Sequence, residues 1–251
     1  ISHIEDATMG DVKAFFHKHY LPNNAILTVA GDIETEEIKT LANKWFGDIP
    51  SGNITDRKLP KEPKQTEERR LEVSRDVPAN AIYKAYHMPN KTHADYYTID
   101  LLSDVLSLGK SSRIYVSLVK NQKLFSEISA FISGSHDEGL FTISGKLLEG
   151  VSFKTAEEAI LKEVELIKKE FVNAAELSKV KNKIESTTQF SETSVLNKAM
   201  SLSFAELLGN ANDVNSEVEN YQKVTAEGIN RVANEILIKT NCSTLIYAKS
   251  K

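Results

Sequence analysis

The chain has 251 residues, 41% of them hydrophobic and 26% charged. This is the composition of a folded globular protein with room for one large domain or two ordinary ones, and it excludes disorder, collagen and coiled coil. With 31 Lys and Arg against 35 Asp and Glu, the formal charge of -4 gives no electrostatic reason to bind nucleic acid or an anionic membrane. A single cysteine, Cys242, excludes an internal disulfide and a thiolate zinc ribbon. No apolar run approaches the roughly 18 residues of a membrane span and no signal segment leads the chain, so a soluble protein, cytoplasmic or periplasmic, is expected. The start at Ile1, close before a helix cap, reads as a cut or processed end.

Thr8-Met9-Gly10-Asp11 has the form of a capping box, and Val12, Phe15, Phe16 and His19 follow at helical spacing until Pro22-Asn23-Asn24 turns the chain. Ala25 to Ala30 is β-rich and reads as a buried strand closed by Gly31-Asp32. Glu34 to Phe46 sets Ile38, Leu41, Ala42 and Trp45 on one stripe, with Gly47 where a left-handed cap is wanted. From Pro50 to Glu68 the apolar signal fades into prolines and mixed charge, the signature of an exposed linker. Strands follow at 70–75 and 80–86, then a helix from His93 to Leu108 and a shorter one from Ser112 to Asn121 with Ile114, Tyr115, Leu118 and Val119 inward. Further strands at 126–133 and 140–147 precede helices at 155–171 and from Ala174 onward.

The end of the sequence echoes its beginning. Val224-Thr225-Ala226-Glu227-Gly228-Ile229 opens a helix carrying Val232, Ala233 and Ile236, and Thr240-Asn241 turns into the strand Ser243 to Ala248. Thr8 corresponds to Thr225 and Ala30 to Ala248, with one residue of slippage in the turn. A real duplication makes residues 69–251 one whole unit and residues 1–49 the tail of a preceding, similar unit whose front is absent, with 50–68 as linker. Missing strands would leave sheet edge and apolar surface open to another copy, so self-association is a further expectation.

Several segments resemble the M16 peptidases, the family of pitrilysin, insulin-degrading enzyme and mitochondrial processing peptidase. They are Asp11-Val12-Lys-Ala-Phe15-Phe16, His19-Tyr20-Leu21-Pro22-Asn23-Asn24-Ala25, Val29-Ala30-Gly31-Asp32, Phe46-Gly47-Asp48-Ile49-Pro50, Gly109-Lys-Ser-Ser112-Arg113-Ile-Tyr115 and Tyr221-Gln-Lys-Val224-Thr225. The resemblance runs nearly end to end. It implies an α+β fold of the LuxS/MPP-like metallohydrolase type, an antiparallel sheet with helices packed on one face. Such units are duplicated within a half, and two halves close around peptide. It also implies a zinc site made of an inverted HxxEH helix and a distant Glu, in which the helix Glu activates metal-bound water.

The six histidines do not supply that site. His17 and His19 are two apart, about 200° around a helix, and His3, His87, His93 and His136 lack a second ligand four residues on. His136-Asp137-Glu138 reads as a charged hairpin tip. Laying the family pattern on the stretch before Gly109 puts Asp100 and Asp104 at the two His positions and Ser103 at the Glu position; the pair of carboxylates reads as a solvated edge of an amphipathic helix. The family's Arg and Tyr, seven residues apart in the half without zinc, match Val119 and Ser126, which cannot bind substrate or stabilise a tetrahedral intermediate in that way. Arg113, with Ser112 beside it, is the cationic candidate for touching peptide in a cleft; its competing role is to tie a helix start to a carboxylate. Glu157-Glu158 and Lys168-Lys169-Glu170 read as solvated helix faces.

The resemblance therefore implies the noncatalytic later portion of the zinc-bearing half of an M16-type metallopeptidase, a hydrolase whose zinc lies in a unit absent from this chain. The partners expected are a peptide substrate, that N-terminal zinc-binding unit, and a second half or partner subunit. The alternative is a degenerate M16-like subunit that binds or assembles without hydrolysis in any context.

Overall fold

In the computed structural model, residues 1–54, 59–134 and 136–250 are described. In chain order the helices are α1 (Ser2–Glu5), α2 (Met9–His19), α3 (Thr35–Phe46), α4 (Tyr96–Ser107), α5 (Phe153–Lys169), α6 (Ala174–Ser191), α7 (Val195–Leu208), α8 (Glu217–Gln222) and α9 (Ala226–Ile236). The strands are β1 (Arg69–Arg75), β2 (Ala81–Met88), β3 (Phe125–Ser133), β4 (Gly139–Leu147) and β5 (Cys242–Lys249). Contacts divide the chain into two compact units, Ile1–Glu62 with Gln189–Asn215, and Pro63–Thr188 with Ser216–Lys251. Residues 189–215 thus group with the N-terminal residues, whereas the sequence division assigned them to 69–251.

The larger unit is an α+β structure built on one sheet of order β1-β5-β2-β4-β3. Strand alternation explains its two faces. On β2, Ile82, Lys84, Tyr86 and Met88 point inward and are buried, while Tyr83 points out. On β4, Phe141, Ile143, Gly145 and Leu147 do the same. The inward face is covered by Leu101, Leu102, Val105 and Leu106 of α4, Ile160, Val164 and Ile167 of α5, and Ile229, Val232, Ala233 and Ile236 of α9, which join it in one core. Three strand pairings are antiparallel; β1 and β5 are parallel, so the sheet is mixed at that edge. At Gly145 a Cβ would come within 2.7 Å of the buried Phe125 ring, next to the register shift between Phe125 and Glu127. Only glycine allows β3 to lie this close.

The expected helix at 112–121 is present, but from Tyr115 to Asn121 it winds as a π-helix, with Leu118 buried and Val119 packed against the core. The expected linker reaches into the unit. Gln65 is 4% exposed, donates to the carbonyls of Glu67 and Cys242, and accepts from the Ser243 hydroxyl. Residues 55–58 of that linker lie outside the described residues.

In the smaller unit the capping box forms as read: the Thr8 and Asp11 side chains each bond the other's backbone N–H. The expected strand at Ala25–Ala30 is not one. Ala25 is extended, but no ladder partner lies beside it among the described residues, and an isolated extended run is not a strand. Gly47 does not cap by a left-handed turn; its φ of -64° continues the helical conformation and its N–H bonds Asn43 O. The unit is tied instead by polar contacts. Asn23 and Gly52 exchange hydrogen bonds of 2.7 and 3.2 Å, and Ser203 on α7 donates to the Thr28 hydroxyl at 2.7 Å. No described residue of this unit is buried: Val12 is 56% exposed, Phe15 59% and Trp45 68%.

The echo extends to secondary structure at one constant offset through the helix and the turn, but not to the strand: β5 follows the second turn, and Ala25–Ala30 after the first is not a strand. Thr8 and Thr225 are both N-caps, α2 and α9 start at Met9 and Ala226 and end at His19 and Ile236, and 3-10 turns follow at Pro22–Asn24 and Lys239–Asn241. At that offset Val12, Phe15, Phe16 and His19 stand where α9 has Ile229, Val232, Ala233 and Ile236, all four buried in the larger unit.

Candidate functional site

The stretch matched to a zinc helix is α4. Its apolar positions Ile99, Leu102, Val105 and Leu106 fix which side faces the core, and this sets Asp100 and Asp104 on the adjoining side, where Asp100 meets α8. These carboxylates are not the solvated edge expected from sequence. The Asp100 carboxylate accepts from the hydroxyl of Tyr221 at 2.6 Å, and burial pushes its carboxyl above the usual range, partly offset by that bond and by Lys91. Asp104 is pushed up to about 7, first by burial and then by the charge of Asp100. Burial, and after it the Asp100 charge, holds the Tyr221 phenol protonated far above its ordinary range. The tyrosine ring meets Tyr97 edge-on at 4.8 Å. Ser103 is buried and donates to the Asp100 carbonyl at 2.8 Å, so the position of a general base carries a hydroxyl closed on its own helix.

After α4 the chain turns at Gly109, whose φ of +76° is the left-handed region that favours glycine. The Ser112 hydroxyl is buried and donates to Gly109 O at 2.7 Å, closing that turn. Arg113 makes a two-pronged bond to Glu176 of α6, Nε and Nη2 each 2.9 Å from a carboxylate oxygen. That bond is the main cause of a raised guanidinium pKa and holds Glu176 below the usual carboxylate range. Val119 is apolar and half-buried, and Ser126 lies exposed on β3 with its hydroxyl toward Lys146 O at 3.3 Å. His136 is exposed at the β3–β4 hairpin, where its carbonyl accepts from Asn90. Among the described residues, no group of three His, Cys, Asp or Glu side chains is placed to hold a metal ion. On the open face of the sheet, Tyr83, Glu127, Ser129, Ser144 and Lys146 line a shallow depression of about 290 Å³.

A second polar cluster escaped sequence reading. Lys84, 1% exposed in the middle of β2, donates to Glu157 and to the Thr244 hydroxyl, both at 2.8 Å. Glu157 also accepts two bonds from Arg70 Nη1, at 2.9 and 3.0 Å, so the acid read as a solvated helix face is an anchor of α5 on the sheet. Burial works to raise the Glu157 pKa, but the bonds and charges of Lys84 and Arg70 outweigh it and hold the carboxyl low. The signal was present: Lys84 shares the parity of Ile82 and Tyr86, the inward set of its strand.

The family profile described as Peptidase M16 inactive domain matches residues 6–184. The zinc protease PqqE of Helicobacter pylori is 29% identical over 98% of this chain and 56% of its own length. The crystal structure of a protease from Helicobacter pylori superposes with a TM-score of 0.88 at 25% identity, over 98% of this chain and 60% of that one. A peptidase M16 inactive domain from Pseudomonas fluorescens shares the fold, with a TM-score of 0.81 at 16% identity over 98% of this chain and 58% of that one. The chain therefore spans little more than half the length of these relatives.

Proposed function

Because the chain belongs to the peptidase M16 inactive-domain family, we propose that it is the noncatalytic portion of the zinc-bearing half of an M16-type metallopeptidase, helping to form a chamber for peptide. The observation that carries this reading is the state of α4. Where the family's zinc helix would present two His and a Glu, this chain presents Asp100 bonded to Tyr221, Asp104, and Ser103 closed on its own backbone. The helix is kept as a packing element and its chemistry is spent on holding α8. Residues 1–49 act as the tail of a preceding unit, a reading supported by the matched caps, helices and turns of α2 and α9 and by the apolar residues that α2 leaves exposed. The zinc, the general base and a partner half then come from outside this chain. Arg113 and Ser112 contribute at the cleft through the turn they brace, and the depression on the open sheet face offers polar groups to an extended peptide.

The test is the gene product that includes the coding sequence upstream of Ile1, assayed on a quenched fluorescent peptide. An upstream HxxEH and zinc-dependent hydrolysis that disappears when the His ligands are changed support the proposal. The Val119 and Ser126 replacements fit the zinc-bearing half, because the opposite half would keep the Arg and Tyr; no HxxEH and no hydrolysis would instead favour the degenerate binding or assembly subunit.

A further inference from the structure

Helix α7 comes late in the sequence, yet it groups with Ile1–Glu62 rather than with the segments on either side of it. None of its residues is buried. It nevertheless carries an apolar stripe. Leu196, Met200, Phe204 and Leu207 recur at spacings of four, four and three, which puts them within about 80° of one another around the helix. All four are between 48% and 67% exposed. A contiguous apolar stripe left open to water marks a surface that something else covers.

The tie that α7 makes within its unit shows where that surface lies. Ser203, on the rim of the stripe, donates to the Thr28 hydroxyl at 2.7 Å. Thr28 sits in the extended run Ala25–Ala30, the counterpart of β5 in the internal echo. β5 is flanked on both sides, by β1 in parallel and by β2 in antiparallel. Ala25–Ala30 has neither neighbour among the described residues, and Ile26, Leu27 and Val29 stand exposed. The run and the helix bonded to it thus share one need, a sheet-bearing partner. Length says how large that partner can be. This chain spans 56% of PqqE and 60% of the solved Helicobacter pylori protease, so more than a third of each relative lies outside the match, enough for a second unit of the larger unit's kind.

We propose that α7 is an arm lent by the later part of the chain to a unit preceding Ile1, whose sheet takes Ala25–Ala30 between two strands and whose surface receives Leu196, Met200, Phe204 and Leu207. This rests on reading residues 1–49 as the tail of that unit. It adds that the later sequence completes the earlier unit, so the two are joined by α7 as well as by the linker.

Thiol labelling tests the arm, because the native Cys242 is buried and a maleimide reads only an introduced cysteine in this chain. The variants are Met200→Cys, on the stripe, and Lys198→Cys, exposed and about 160° from the stripe's centre. Each is made in the 251-residue chain and in the gene product that includes the coding sequence upstream of Ile1, and labelling is followed by mass spectrometry on the α7 peptide. In the 251-residue chain both should react at similar rates. In the extended product Met200→Cys should slow about ten-fold or more while Lys198→Cys is unchanged, and the amides of residues 26–30 should gain protection from hydrogen exchange. Equal labelling of residue 200 in the two products overturns the proposal. So does slow labelling in the 251-residue chain that speeds up on dilution, since the occupant is then a second copy. Leu196→Cys serves if Met200→Cys fails to fold. Hydrolysis is a separate readout: an extended product that shields residue 200 without cleaving peptide keeps the arm and sinks the peptidase reading, and one that cleaves peptide with residue 200 open does the reverse.

Discussion

Removing Glu157 should hurt this protein far more than removing the lysine it pairs with. In Glu157→Ala the Lys84 ammonium, 1% exposed, keeps only the Thr244 hydroxyl. An uncompensated buried charge of this kind costs about 3–5 kcal/mol. Lys84→Met removes the charge and keeps most of the volume; Glu157, 15% exposed, retains Arg70, so the loss should stay within about 1 kcal/mol. The double variant should recover most of the damage, giving a coupling of about 2–3 kcal/mol. Urea unfolding of each variant, followed by far-ultraviolet circular dichroism and compared at equal slope, measures all three. The same series has a pH arm. Because the folded state holds the Glu157 carboxyl below its ordinary value, its contribution is present above the unfolded pKa and is lost as pH falls through the folded one. The gap between the unchanged protein and Lys84→Met should therefore change below about pH 4.5 and stay constant above it. A cost under about 1 kcal/mol for Glu157→Ala, or strict additivity in the double variant, would refute the reasoning.

Gly145→Ala should lower the thermal midpoint and cost about 1–3 kcal/mol, because its methyl would meet the buried Phe125 ring at 2.7 Å; an unchanged melting curve would show that β3 can yield. The 251-residue chain should retain no stoichiometric zinc after dialysis against a weak chelator, and retention that is lost on changing His136 or Asp104 would contradict this. Limited proteolysis should cut first between Ile49 and Gln65, upstream of the point where Gln65 is fixed to β5; earlier cleavage inside α5 would count against that boundary.

The fold was legible wherever a residue's neighbours in sequence decide its state. The cap at Thr8, the helix starting at Ala226 and the strand at β2 all follow from local composition and spacing, and each stands where it was read. The extended run at Ala25–Ala30 was misread because a strand is a relation between two segments, and composition reports only one of them. The site failed in the same way. Asp100 looks like part of a wet helix edge until Tyr221, more than a hundred residues later, arrives to bond it. Glu157 looks solvated until Lys84 and Arg70 are brought beneath it from the sheet. The alternation on β2 did mark Lys84 as inward-facing, and a lysine on an inward face implies an acid opposite.

The order of strands has a consequence for how the protein is made. Of the five described strands β5 comes last in the sequence, yet in the sheet it lies between β1 and β2, pairing with Arg69–Arg75 on one side and with Ala81–Tyr86 on the other. Until it arrives, β1 has no neighbour at all and the hairpin side of the sheet, β2-β4-β3, ends in an open edge on β2. Vectorial synthesis therefore leaves β1 unpaired until β5 has been made, and closure of the sheet waits for contacts of long sequence separation. Deleting Cys242–Lys249 alone would remove the keystone of the sheet, taking away both the Gln65 anchor and the Lys84 hydroxyl partner in one step.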